Sequence, residues 1–205
     1  MKKEVSNIRW MTVTALMGAM AAVLEMLNFP IPALIPGFIK FDFSELPALI
    51  ASFALGPLAG ACVCFIKNAV KFVMGSNTAG VGELSNFILG CAFVVPAGLI
   101  YKAKKTKARA IIGSAVGAVS MAALSVVSNY FIIYPIYAAG FGGMDNIINA
   151  YRAIDPNVSG LMECLLKFNM PFTFVKGAAS AVITVLVYKY ISPLIKNGGR
   201  QPAAG

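Results

Sequence analysis

Residues 46–66, LPALIASFALGPLAGACVCFI, decide how this chain is threaded. The run is uncharged and long enough for one membrane crossing of ~20 residues, yet Gly56 and Pro57 fall in its middle. Proline removes a backbone donor and clashes with the preceding helical turn, so the dipeptide punctuates the run. Read as a single helix, the run makes helix counting place the basic stretch KAKKTKAR, residues 102–109, on the outer side, against the tendency of Lys and Arg to stay in cytoplasmic loops. Two helices remove the conflict: roughly Ser44 to Leu55, then Leu58 to Met74, with the turn on the inner side.

The rest of the chain has the same character. It has 205 residues, 59% hydrophobic and only 12% charged, with a mean hydropathy of +0.78. Soluble domains carry about a quarter charged residues, so the expected class is all-α: a polytopic membrane protein. Eleven of the seventeen basic residues sit in three places, Lys2, Lys3 and Arg9, then Lys102, Lys104, Lys105, Lys107 and Arg109, then Lys189, Lys196 and Arg200. That distribution makes the net charge of +9 a signal of orientation and not of a nucleic-acid partner. The four cysteines lie in apolar surroundings and there is no histidine, so a zinc or iron site lacks a ligand set. The basic N-terminus precedes a run too long for a cleaved signal and without a small-residue cleavage site, and reads as a retained helix.

In order, helix 1 runs from about Ile8 to Asn28 and is stopped by Pro30, Pro32 and Pro36. Ala15, Gly18, Ala19 and Ala22 fall at i, i+3, i+4 and i+7, a stripe suited either to close packing within the bundle or to docking a partner helix. Glu25, near the outer end, is expected at the interface. Residues 28–47 form a long apolar and aromatic loop carrying Lys40, Asp42 and Glu45, which fits either a lid over a ligand cavity or a packed structural loop. Lys67 and Lys71 share a helix face. Helix 4 spans Val81 to Tyr101 with Glu83, Ser85 and Asn86 in its first turns, where Glu83 suits the helix dipole. Helix 5 runs from Arg109 to Tyr137 and buries Asn129, an amide that needs partners. The outer segment Ala139 to Gly160 reads as a cap with some short helix, and a sixth helix returns the chain inside.

That sixth helix lies in residues 161–191, LMECLLKFNMPFTFVKGAASAVITVLVYKYI. At ~1.5 Å per residue, Lys176 lies ~12 Å inside a membrane helix that starts near Phe168. An ammonium there costs on the order of 3 kcal/mol on the mildest scale, so it should face a watered cavity or snorkel to the interface. Thr173, three residues earlier, shares its face. Removing so deep a charge is expected to leave the empty protein no less stable. The expected organisation is one six-helix domain over residues 1–193 with both termini cytoplasmic, and a polar, disordered tail over 194–205.

No GxxxxGK[ST] phosphate loop and no Gly-x-Ser-x-Gly elbow occur, so neither ATP hydrolysis nor acyl transfer has a residue set, and the chain does not read as an enzyme. An outward cavity with Asn129, Thr173 and Lys176 as polar contacts would suit a small, partly apolar solute. Three functions fit the residues: a solute-capture subunit, a self-sufficient facilitator, and an assembly protein without a solute.

Several stretches resemble the substrate-binding S components of energy-coupling factor (ECF) vitamin transporters, and among them those specific for riboflavin. They are Ala15-Leu-Met-Gly-Ala19, Lys40-Phe-Asp-Phe-Ser-Glu-Leu-Pro-Ala-Leu49, GPLAG at 56–60, Lys67-Asn68, Gly82-Glu-Leu-Ser-Asn86, Asn129-Tyr130 and Pro171-Phe-Thr-Phe-Val-Lys-Gly177. Together they cover nearly the whole chain in order. The resemblance implies a multi-pass protein of the cell membrane that captures riboflavin or a related flavin outside, without a cofactor, and needs a transmembrane coupling subunit and two ATPase subunits to move it inward; an S component for another vitamin is the alternative. It implies docking of the coupling subunit on Ala15, Gly18, Ala19 and Ala22, and flavin contacts at Phe41, Asp42, Phe43, Glu45, Asn86, Asn129, Phe172, Thr173 and Lys176. Thr173 departs from the asparagine that the resemblance leads one to expect three residues before the lysine.

Overall fold

The computed structural model describes residues 2–76, 78–140 and 142–197, with side chains from 7 to 187 within those ranges. Nine α-helices and one two-stranded hairpin occur among them: α1 (Lys2–Met26), β1 (Phe29–Pro30), β2 (Lys40–Phe41), α2 (Glu45–Leu55), α3 (Pro57–Gly75), α4 (Val81–Ala103), α5 (Lys107–Ser128), α6 (Tyr134–Gly140), α7 (Met144–Arg152), α8 (Leu161–Cys164) and α9 (Met170–Asn197). The break between α2 and α3 falls at Gly56, whose φ of 105° suits glycine and few other residues. Pro57 then opens α3 at a position where its missing N–H costs nothing.

Among the described residues, five helical stretches are long and apolar enough to cross a membrane: Asn7–Met26, Pro57–Gly75, Val81–Ala103, Lys107–Gly140 and Leu161–Val187. The sixth apolar helix, α2, has 11 residues, which at ~1.5 Å each cover only about half of a ~30 Å hydrocarbon layer. The chain is already inside the protein before α2 begins, since Phe41, Asp42 and Ser44 are buried. The 28–47 loop is therefore packed, pinned by the pairing of Phe29 with Phe41 and of Pro30 with Lys40.

Two of the long stretches are wound differently at one point each. Asn129–Ile133 joins α5 to α6 as a π-helical turn, and Leu165–Asn169 joins α8 to α9 in the same way. Each inserts an extra residue and so rotates the side chains that follow.

The core divides in two. One cluster, between α2, α3, α4, α5 and α1, is rich in small residues such as Ala48, Ala51, Ala59, Ala97, Ala110 and Ala118. The other, near the long loops, is aromatic: Phe41, Tyr134, Tyr137, Tyr151 and Phe172 with Ile35, Ile133 and Leu165. Helix α9 continues through Asn197, past the expected start of the polar tail at 194; the remainder of that tail, 198–205, lies outside the described residues, as does Arg200 of the third basic group.

Candidate functional site

A cavity of about 250 Å³ opens at the end that carries the long loops. That is near the lower end of small-molecule sites, which run ~300–1,000 Å³. The loop before α2 contributes Phe38 and Asp42 to its wall, α4 contributes Glu83, Ser85 and Asn86, α5 contributes Met121, and the two π-helical turns contribute Asn129, Ile133 and Asn169. Helix α9 adds Phe172, Thr173 and Lys176.

Lys176 does not snorkel. It is 5% exposed and its Nζ donates to Asp42 Oδ2 at 2.9 Å, with Glu45 Oε1 3.9 Å away. Asp42 in turn accepts from the backbone N–H of Ser44 at 2.9 Å and from its hydroxyl. Behind this pair the fully buried Lys67 is bonded to Glu45 and donates to Ser44 Oγ. A third pair, Lys71 with Glu25 at 3.2 Å, lies beside Asn86, whose Nδ2 also donates to Glu25 at 3.2 Å. Three lysines thus face three of the buried carboxylates, and the fourth, Glu83, is held by hydroxyls instead.

This network corrects two expectations. Glu25 is not interfacial; it is 0% exposed, because Lys71 and Asn86 from two neighbouring helices turn toward it. Nor is the Lys176 ammonium an isolated cost, since Asp42 meets it from the loop. Its removal strands a buried carboxylate, so loss of stability is the expected outcome.

Opposite Lys176, the polar groups of α4 gather. Glu83 accepts from Ser76 Oγ at 2.8 Å and from Thr78 Oγ1 at 3.0 Å, so it orders the α3–α4 turn in addition to its place in the first turn of its helix. Asn129 is buried and accepts one long bond from Ser85 Oγ, 3.5 Å, leaving its amide hydrogens to face the cavity it lines.

Asn169 was not singled out by the sequence. It closes a ring of three bonds: its Nδ2 donates to Tyr134 Oη at 2.8 Å, the Tyr134 hydroxyl bonds to that of Tyr151, and Tyr151 donates back to Asn169 Oδ1. Burial, with Tyr134 beside it, pushes the Tyr151 phenol far above its usual range, so it stays a neutral donor. The ring fastens the outer helix α7 to the bundle. An available signal was a polar Asn inside an apolar run, ahead of Met170-Pro171.

Of the residues named from the sequence, Asp42, Asn86, Asn129, Phe172, Thr173 and Lys176 meet on the cavity wall. Phe41, Phe43 and Glu45 do not line it. Phe41 stands edge-on behind Phe172 at 6.0 Å between ring centres, with Phe43 behind it at 5.3 Å. Glu45 acts through Lys67 and Ser44. The stripe on α1 splits: Ala15 and Ala19 are exposed, whereas Gly18 and Ala22 are buried. A Cβ on Gly18 would come within 2.7 Å of Ile66 on α3.

Residues 9–188 match a family described as ECF transporter, substrate-specific component. The chain is 32% identical to the riboflavin transporter RibU of Staphylococcus aureus (strain TCH60) over 191 residues, 93% of this chain and 94% of that one. To the riboflavin transporter FmnP of Bacillus subtilis (strain 168) it is 30% identical over 193 residues, 93% and 96% of the two chains. Among solved structures, the S component of a bacterial ECF transporter superposes with a TM-score of 0.72 at 26% identity, covering 93% of this chain and 99% of that one.

Proposed function

This chain belongs to the substrate-specific components of ECF transporters, and we propose that its solute is riboflavin. Members of the family are transporter components and not enzymes, so what the chain must do is bind. One observation supports the reading most: the cavity wall carries Lys176 with Asp42, and the amides of Asn86 and Asn129, among aromatic rings. A flavin has carbonyl oxygens and ring nitrogens along one edge, a ring N–H between two carbonyls, hydroxyls on its side chain, and an apolar far edge. Lys176 can donate to a carbonyl oxygen while remaining paired with Asp42, because an ammonium has three hydrogens. Asn129 can offer both donor and acceptor to the same edge. Thr173, with one short hydroxyl, reaches less far than an amide would, and a water can bridge the difference.

The resting site comprises Asp42, Asn86, Asn129, Phe172, Thr173 and Lys176, with Phe41, Phe43 and Glu45 holding these from behind. The chain is a single domain of the cell membrane that crosses six times, α2 and its buried approach making the short crossing, and both termini are cytoplasmic. Delivery inward depends on a transmembrane coupling subunit and two ATPase subunits. The exposed residues Ala15 and Ala19 offer them a surface where a helix can come close.

Titration of riboflavin fluorescence with the purified protein tests the solute. Wild type should quench it, and Lys176→Met should bind about ten- to a hundredfold more weakly, the worth of one charged hydrogen bond. Equal affinities would remove Lys176 from the site, and no quenching by wild type would remove riboflavin. For the topology, single cysteines at Lys105 and Gly143 in a cysteine-free chain should label from opposite sides of the membrane; labelling from one side refutes the six-crossing arrangement.

A further inference from the structure

A second cavity, of about 210 Å³, lies against the first. Its walls are Phe38, Tyr137, Asn146, Ile147 and Ala150. Phe38 and Tyr137 line the first cavity as well, so the two chambers share a partition of two rings whose centres are 6.1 Å apart. The far wall belongs to α7. Asn146 there is exposed and Ala150 half-buried, so this chamber reaches the surface.

The two leaves of the partition are held differently. The Tyr137 hydroxyl is bonded to Thr78, and its ring packs against Tyr134. Phe38 has no polar atom to anchor its side chain, and its ring packs against Tyr134 at 6.5 Å, Tyr137 at 6.1 Å and Tyr151 at 6.3 Å; it projects from the loop between β1 and β2. Ring contacts are weak and leave no unpaired polar group when broken. Phe38 is therefore the leaf that can move. Apart from the Tyr137 phenol, Asn146 is the one polar side chain on the walls, so the chamber suits a flat apolar ring and cannot satisfy the heteroatoms of a flavin.

We propose that the second cavity is an antechamber, which receives the apolar ring of the incoming heteroaromatic solute and passes it, as Phe38 swings aside, to the polar cavity where the solute rests. The inference rests on the flavin reading above. A side chain that lines the route but not the resting place changes only the barrier, and that barrier is common to entry and exit. Association and dissociation then change by the same factor and Kd stays put.

Stopped-flow quenching of riboflavin by the full chain tests this. Ala150→Trp and, independently, the surface substitution Asn146→Trp fill the antechamber from α7 without touching the first cavity. Each should slow association and dissociation together by about tenfold, with Kd within about twofold. Phe38→Ala should speed association. Wild-type rates in both Trp variants would overturn the proposal, as would a changed Kd at an unchanged association rate, which would make the chamber part of the resting site. Wild-type protein that fails to bind riboflavin overturns the flavin reading and this inference with it, whereas binding with unaltered rates overturns this inference alone.

Discussion

The two halves of the core solve opposite problems. Toward the basic 102–109 loop, helices touch through missing side chains: a Cβ on Gly113 would lie 2.7 Å from the Ala97 carbonyl oxygen, one on Gly117 would collide with the Phe93 carbonyl, and one on Gly177 would sit 3.2 Å from Ala118. Between apolar helices in an apolar medium, such contact of backbones is what close packing can add. Toward the long loops the bundle is filled by tyrosines, phenylalanines and balanced ion pairs, and there the cavity opens. Small residues close the helices together. Large and polar ones hold them apart, and the resulting space is useful because its charged walls are paired while the Asn129 amide hydrogens are left to face it.

The contrast is most exposed to attack at its buried charges. Lys67→Met removes the lysine bonded to Glu45 and leaves only the longer 3.9 Å approach of Lys176, and should lower stability by about 3–5 kcal/mol; pairing it with Glu45→Gln should return a large part of that. Thermal unfolding of the purified proteins measures both, and a mild single variant would mean that the network is wetter than its burial implies. Lys176→Met should destabilise the empty protein less than Lys67→Met does, since Asp42 keeps its two bonds from Ser44.

In the small-residue half, Gly117→Val forces a side chain against a backbone oxygen that cannot turn away. Overpacking of this kind costs about 1–3 kcal/mol. Gly140→Ala, at the opposite end and with nothing within 4 Å of its Cβ position, should be neutral in the same assay. If the two behaved alike, the division of the core would be wrong.

Tyr151→Phe opens the ring of bonds with Tyr134 and Asn169 and leaves buried polar atoms unpaired. A loss of about 1–2 kcal/mol is expected, together with faster hydrogen exchange in α7, the helix this ring anchors. Normal protection there would show that Ile147 and the loop contacts hold α7 without it.

The smallest effect on the isolated protein belongs to the outside of α1. Ala19→Trp should change its stability by no more than about 0.5 kcal/mol and leave riboflavin binding intact, while abolishing uptake by the whole transporter. Gly18→Trp, one position away on the buried side, should damage the protein itself. Equal damage from both would return the entire stripe to bundle packing.

Hydropathy, proline and charge are local properties, and they sufficed for the helical class, for the break at Gly56-Pro57 and for the approximate limits of the apolar helices. They also flagged Lys176 as a residue that needed company, because a charge inside an apolar run is anomalous wherever the run folds. They could not name its partner. Asp42 is 134 residues away in the chain, and only the folding of the 28–47 loop into the bundle brings it to the lysine. The same holds for Glu25, which looked interfacial by position along α1 but is drawn inward by Lys71 and Asn86, and for the α1 stripe, whose two halves part because one of them meets Ile66. The two π-helical turns break the regular period on which a helical face is read, and Asn169, at the end of the second turn, reaches the cavity without any residue spacing that announces it, whereas Asn129, at the start of the first, was named from its chemistry. Local chemistry determined which residues needed an answer, and the tertiary structure decided which distant residue gave it, because a buried charge or amide is satisfied only by whatever packing sets within ~3 Å of it.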